Sequence, residues 1–476
     1  MSDEWLDEAQ SSYKRKQSHE MKFGYDAVSD TKRRKSPKRV VQAEDRHLRQ
    51  SDRKSLISTS RDLRRNFVMA RWIIQKHIDF VVEHNFLPDT GDESFNEELR
   101  SFFKMASKKG NFEVSGRFGL RQYMRMLESA RLVDGDIMSL RVRGGMLQPI
   151  EGDRIRDPQD EVVYQNLTDG FVGGWVEGID VDKFGKPKRY CIHRRMQSSF
   201  VEEKRVSARK VIPYGCFDRF DQVRGVAPLA PVINTMKDLY ESFDYALARA
   251  KIEQLFALVI TRTNEWGAGY GDDELDNTDD TQRELDFNEG PQILDLDEDE
   301  DAKFLYGSAP NSSSQDFWQA MTMLTLKCLN IPYSFYDEKH TNFNGSRTAL
   351  IMYLRSVRGW REDVVAFLND WLKWRLKVGM INGEINLPEW FEVDNEDNWK
   401  FGPIGLEYWN PQQEIAADEK AIELNLRSRE EIRLERYGDS WERDVLPRIQ
   451  REEELLEAAG LNEEPMEMPN GDQDTE

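Results

Sequence analysis

The sequence predicts an α+β fold in which helices and strands occupy separate blocks. Three observations carry this. Apolar residues recur at helical spacing through 61–133 and again through 411–460. From Asp134 to Phe217, apolar or alternating runs are broken by Gly, Asp and Pro, the pattern of strands and hairpins. Residues 313–378 read as helix, sticky loop and long helix, and the rest of the chain is arranged around that unit.

Size and charge bound the possibilities. The 476 residues suffice for two to four domains, and 12 Trp argue against general disorder. A 38% hydrophobic and 33% charged composition is on the polar side for a globular chain and fits large faces between subunits. The net charge of −21 speaks against a protein that grips nucleic acid. Cys191, Cys216 and Cys328 lie far apart with no CxxC, as expected of reduced thiols. No signal-peptide pattern and no apolar run of membrane length is seen, so no membrane partner is expected.

Residues 1–60 read as a disordered arm rich in Lys, Arg, Ser, Gln and Asp, with a basic run at Thr31–Arg39. The first helical block places Leu63, Phe67, Ala70, Ile73, Ile74, Ile78, Val81 and Val82 on one side, with further helices over Asn96–Ala106 and Gly119–Ala130. His77 and His84, seven apart, could share a face, but surface histidines are the expectation. Strands are expected in DGDIMSLRV, QPIEGDRI, VEGIDVDKFGKPKRYCIHRR and KVIPYGCF. Asp180–Gly185 opens like a calcium loop, yet its twelfth position is Cys191 rather than Glu, so a hairpin turn is the reading.

Asp221–Arg262 reads as a turn and a long helix, with Pro228 and Pro231 at its start. Residues 264–301 carry sixteen acids against one Arg, an acidic insertion of short strands and loops. In the central unit Ser314 is placed as a helix cap, and Pro332 stops that helix. The loop holds Tyr333, Phe335, Tyr336 and Phe343 and ends at Gly345. Ser346 is placed as the cap of a long helix bearing Leu350, Leu354, Val357, Val364, Phe367, Trp371 and Leu372. Strands and loops are expected from INGEINLPEWFEV to Trp409. Helices follow over 411–460, with Ser428 and Glu431 as a capping box and Gly438 and Gly460 as punctuation. Residues 461–476 read as a disordered tail.

No motif of catalysis is present. There is no GxxxxGK[ST], GxSxG, HExxH, Cys/His cluster or post-strand GxGxxG. The chain is expected not to be an enzyme, and no catalytic residue, cofactor or metal is assigned. Two rival classes remain: a cytosolic scaffolding or binding protein with an acidic insert, and a DNA enzyme using scattered carboxylates with magnesium.

Three ordered stretches resemble the lambda family of tailed-phage portal proteins. The first is Gln222-Val-Arg-Gly-Val-Ala-Pro-Leu-Ala-Pro231 before a long helix. The second is Leu329-Asn-Ile-Pro332-Tyr333 followed by Asn344-Gly-Ser-Arg347-Thr-Ala-Leu. The third is Asn410-Pro411 leading to Leu426-Arg-Ser-Arg-Glu-Glu-Ile, Tyr437-Gly438 and Gly460-Leu461. The order holds from about residue 61 to 461 and is least regular in 264–301.

The resemblance implies a ring, commonly of twelve copies, at one capsid vertex, through which double-stranded DNA is packaged and ejected. It implies a portal-type subunit: a mixed wing at 61–225, stem helices at 226–257 and 313–330, an acidic clip at 258–312 and a tunnel loop at 331–345. A long wing helix at 346–378 with return strands to 410, and a helical crown at 411–460, complete it. The implied partners are other copies of the chain, DNA, the terminase motor, major capsid and scaffolding proteins, and head-completion or adaptor proteins. The location would be the virion, after assembly in the host cytoplasm. The motor's ATPase is a separate protein in that family, in keeping with the missing P-loop. An acidic channel wall would let a phosphate backbone slide rather than bind. Tyr333, Phe335, Lys339, His340 and Asn342 are the candidates for transient DNA contact, with packing of the loop aromatics against neighbouring subunits as the competing role.

Overall fold

The computed structural model describes residues 48, 50–160, 173–197, 199–255, 258–262, 300–304, 312–337, 343–403 and 410–459. The run Thr31–Arg39, residues 264–299 of the acidic stretch, Gly460 and the tail 461–476 fall outside them. The described residues form an α+β fold.

The first helix, α1 (Gln50–Asn66), begins inside the stretch expected to be a disordered arm. Residues 50–60 are therefore helical, with Arg53, Ile57 and Ser60 buried. The spacing of Ile57, Ser60, Leu63 and Phe67 supplies one face; the many charges around it hid that face in the sequence. A second helix, α2 (Val68–Val81), follows a break at Phe67, whose extended backbone (φ −107°, ψ 111°) interrupts the helix. No Gly or Pro marks the break.

Strand β1 (His84–Pro88) was not foreseen; α3 (Glu93–Ala106) and α4 (Leu120–Asp134) were, within a few residues. Asp92 caps α3 by accepting from the Phe95 N–H at 3.2 Å. Strands β2 (Asp136–Arg141), β3 (Leu147–Glu151), β4 (Gly174–Val176), β5 (Ile179–Val181), β6 (Pro187–Arg195), β7 (Phe200–Ser207) and β8 (Val211–Gly215) follow. They make two antiparallel sheets, ordered β3-β2-β8 and β4-β5-β6-β7. The β5–β6 connection is the expected hairpin, with Asp182 Oδ1 accepting from the Phe184 and Lys186 N–H groups. Strand β7 was missed because Glu-Glu-Lys-Arg reads as solvated surface.

The three-stranded sheet is buried on both faces. Ile137, Ile212 and Tyr214 point into a helical core, and Met138, Leu140 and Ile150 meet Ile179, Val181, Tyr190 and Ile192 of the four-stranded sheet. Alternate side chains of one strand therefore serve two cores.

The segment expected as one helix over 221–262 divides. Ala230–Val232 is a 3-10 turn holding Pro231, α5 spans Ile233–Leu255, and β9 (Leu258–Arg262) pairs antiparallel with β10 (Glu300–Phe304). Helix α6 runs Ser312–Lys327, so Ser314 lies inside its first turn rather than capping it. The long helix is two: α7 (Phe343–Ser356), which starts before Ser346 and so is not capped there, and α8 (Arg358–Asn382). Gly383, at φ 72°, ends α8 in the left-handed conformation.

INGEINLPEWFEV holds the end of α8 and no strand. The strand that follows, β11 (Trp399–Pro403), pairs with β1, setting Phe401 opposite Phe86. Helices α9 (Pro411–Glu423), α10 (Arg429–Arg436) and α11 (Leu446–Ala459) finish the described chain. The Ser428–Glu431 capping box on α10 forms as expected, with hydrogen bonds of 2.8 and 3.1 Å. Trp371 of α8 is fully buried at the centre of the helical core, with Phe112 and Phe103 rings 5.1 and 5.7 Å away. Among the described residues no helix is long and apolar enough to cross a membrane.

Candidate functional site

The central unit is a pair of helices, a loop and a return helix. After α6 the chain turns at Cys328–Asn330, with Asn330 left-handed at φ 55°. The Ile331 N–H reaches back to the Leu326 carbonyl at 3.1 Å, and Leu329 and Ile331 are buried. Pro332 then starts a 3-10 turn over Tyr333–Phe335. Cys328 Sγ donates to the Pro228 carbonyl at 2.7 Å, tying this end of α6 to the approach to α5. Farther along the pair, Phe243 of α5 packs on Trp318 of α6 at 5.0 Å.

The loop aromatics pack on the chain itself. Phe335 stacks on Phe80 of α2 at 5.7 Å and meets Tyr353 of α7 edge-on at 5.4 Å. Tyr336 lies edge-on to Trp72 at 6.0 Å, and the Tyr333 hydroxyl donates to Asp337 at 3.5 Å. Both Tyr333 and Phe335 are half-buried against the helical core. Lys339, His340 and Asn342 lie outside the described residues.

Large apolar side chains stand exposed on the same helices. Tyr245 and Leu247 on α5, Phe317 and Leu324 on α6, and Ile351 and Met352 on α7 are each more than half exposed. Scattered exposed apolar residues are ordinary, but Phe317 and Leu324 lie seven apart on α6 and so share one face, a stripe of the kind an interface covers.

The stretch around Arg224 is held by charge. Arg224 forms a two-pronged ion pair with Asp136 and donates to the carbonyls of Ile155, Glu177 and Gly152 at 2.8–3.1 Å. Arg53 of α1 closes the same cluster through Glu177 and the Gly225 carbonyl, each at 2.5 Å. Gly135 (φ 93°) and Gly225 cross here so closely that a Cβ on Gly135 would stand 2.6 Å from the Gly225 carbonyl. Burial would push the Asp136 carboxyl up. The charge and hydrogen bonds of Arg224 outweigh it and hold the group below its ordinary value.

A second buried cluster centres on Glu128 of α4. It receives Tyr214 Oη at 2.5 Å and Arg131 at 2.8 Å, and Arg131 continues to Asp363 of α8 at 2.7 Å. Arg131 also lies over the rings of Tyr214 and Trp360. Burial opposes the Glu128 charge, but Arg131 and His77 prevail and hold its carboxyl down at about 2. His77, expected on the surface, is fully buried, its Nε2 3.3 Å from Glu128. His84 is half-buried elsewhere, with Nδ1 donating to the Val82 carbonyl at 3.1 Å, so the two histidines share no site.

One group with metal-binding chemistry is present among the described residues: Cys191, His193 and Glu202 on β6 and β7, whose ligand atoms lie within 4.8 Å of one another. Sequence reading missed it because Glu202 reaches the site only through strand pairing. Burial pushes the Cys191 thiol up to about 12 and lowers the His193 imidazole.

The described residues thus form a body of helices over two stacked sheets, with a helix pair that ends in a packed loop. The chain belongs to the lambda family of phage portal proteins, whose family model matches residues 31–361. No curated relative matches it. Three similar solved chains come from gene transfer agent particles: the native virion, the neck of the empty particle computed with C6 symmetry, and the neck of the native particle computed with C12 symmetry. Each is 13% identical and covers 80% of this chain and 92% of its own, with TM-scores of 0.46, 0.46 and 0.45.

Proposed function

We propose that this portal protein assembles as a closed ring, commonly of twelve copies, at one vertex of a capsid, and that double-stranded DNA enters and leaves through the centre. The observation that supports the proposal is the set of large apolar side chains left exposed on α5, α6 and α7. A chain with this much charge has ample polar residues to cover those helices, yet leaves Leu247, Phe317 and Leu324 exposed. Copies packed around an axis bury such a face heterologously, one side of each subunit on the other side of the next.

In this reading α5 and α6 are the stem, the segment between them is the acidic clip that receives the terminase motor and later the head-completion proteins, and α9–α11 form the crown. The chain itself performs no chemical step. The negative charge keeps DNA mobile, since counterion release would make a basic wall grip it. Phe335 and Tyr336 then serve to seat the loop on α2 and α7, leaving Lys339, His340 and Asn342, with Tyr333 at the margin, to touch DNA in passing. Alanine at Lys339, His340 and Asn342 together is expected to leave ring assembly intact while changing packaging yield or genome retention. Unchanged packaging and retention would remove the loop from DNA handling.

A further inference from the structure

The edge of the four-stranded sheet brings together three side chains that the portal reading does not use. Cys191 and His193 are two apart on β6 and so project to the same face. Glu202 lies directly opposite His193 on β7. That pairing depends on a bulge: Ile192 pairs with Lys204 but His193 pairs with Glu202, so Glu203 is skipped. Without the bulge, His193 would face Glu203 and the carboxylate of Glu202 would turn to the other face. Bulges re-aim side chains in this way, often beside functional sites.

The distances suit a small divalent ion. Cys191 Sγ and His193 Nδ1 are 3.9 Å apart. Tetrahedral zinc, with Zn–S about 2.3 Å and Zn–N about 2.1 Å, needs about 3.6 Å between them. Cys191 and His193 are buried and Glu202 is half-buried, which leaves the carboxylate side open for a water as fourth ligand.

We infer that Cys191, His193 and Glu202 form a binding site for a thiophilic divalent cation of the zinc type, linking β6 to β7. In the metal-free form the guanidinium of Arg205 occupies the cation's place. It donates to Glu202 at 2.7 Å and reaches Cys191. Asp160, which already pairs with Arg205, retains it when it withdraws. Binding forms metal–sulfur, metal–nitrogen and metal–oxygen bonds and releases the thiol proton of Cys191 to solvent. No electron transfer is involved.

The test is Co2+ titration of the full-length protein, read by absorbance, followed by displacement with Zn2+. One equivalent is expected to give a thiolate-to-cobalt band in the near ultraviolet and visible bands of tetrahedral cobalt, both abolished by Zn2+. Cys191→Ser removes the thiolate band, whereas Cys216→Ser keeps it. Glu202→Gln, which preserves shape, weakens Zn2+ binding by about tenfold or more. If Cys191→Ser does not fold, Zn2+ protection of the Cys191 thiol from alkylation in the unaltered protein, read by peptide mass in moderate urea where the buried thiol becomes reactive, gives the same answer. Absence of a thiolate band, or one that survives Cys191→Ser, overturns the site, as does alkylation of Cys191 at the same rate with and without Zn2+.

Discussion

Arg224 lies along Asp136 with its Nε 2.7 Å from one carboxylate oxygen and its Nη2 2.8 Å from the other, both side chains 1% exposed. The pair joins the bend that precedes the 3-10 turn and α5 to the first residue of β2, where α4 passes into the sheet. The arginine is the one in Gln222-Val-Arg-Gly-Val-Ala-Pro, so a stretch that carries the family resemblance is also a structural joint.

Removing one partner strands a charge in the interior. Arg224→Met is expected to destabilise the subunit by about 3–5 kcal/mol, because it leaves the buried Asp136 carboxylate with no countercharge from Arg224 and only the Gly225 N–H as donor. Replacing both, Arg224→Met with Asp136→Leu, should cost less than the single change. Chemical denaturation monitored by circular dichroism checks both. A single variant as stable as the parent would show that the pair contributes nothing.

The Glu128 cluster makes a pH prediction. Its carboxyl sits at about 2 in the folded chain, against roughly 4.3 for an unperturbed Glu. A depressed folded value means that the stabilisation is fully present above the unfolded value and is lost as pH falls through the folded one. The subunit should therefore lose stability between about pH 4.5 and pH 2, by on the order of 3 kcal/mol from this group. Glu128→Gln removes that dependence, at the cost of leaving Arg131 short of a partner at neutral pH. Unfolding midpoints across pH 2–7 for both proteins decide it: parallel curves would refute the assignment.

The exposed helix faces can be tested without unfolding the subunit. Leu247→Asp with Leu324→Asp is expected to leave the circular dichroism and melting of the subunit nearly unchanged, since both side chains already face solvent, but to abolish ring formation. Light scattering checks it. Rings of undiminished mass would move the interface elsewhere.

Much of this fold was legible because periodicity and punctuation are local. Helices α3 and α4, the Ser428–Glu431 cap and the Asp182–Lys186 turn each follow from residues within one or two turns. What was not legible is set by distant partners. Strand β1 exists because Trp399–Pro403 pairs with it from the far end of the chain, and no local pattern in His-Asn-Phe-Leu-Pro reveals that. Helix α1 reads as a charged arm until Glu177 and the Gly225 carbonyl are seen to receive Arg53. The break at Phe67 follows from packing of α1 and α2 onto one core rather than from a helix breaker. The loop divides in the same way. Its boundary at Pro332 was visible, but the inward packing of Phe335 depends on Phe80, more than two hundred residues earlier.

Negative-stain imaging of the purified full-length protein, with mass by light scattering across salt and concentration, decides whether the chain closes into a ring. Rings of about a dozen subunits around an open centre are expected. A monomer or dimer under every condition would contradict this and would turn the bare faces of α5, α6 and α7 into docking surfaces of a non-ring binding protein.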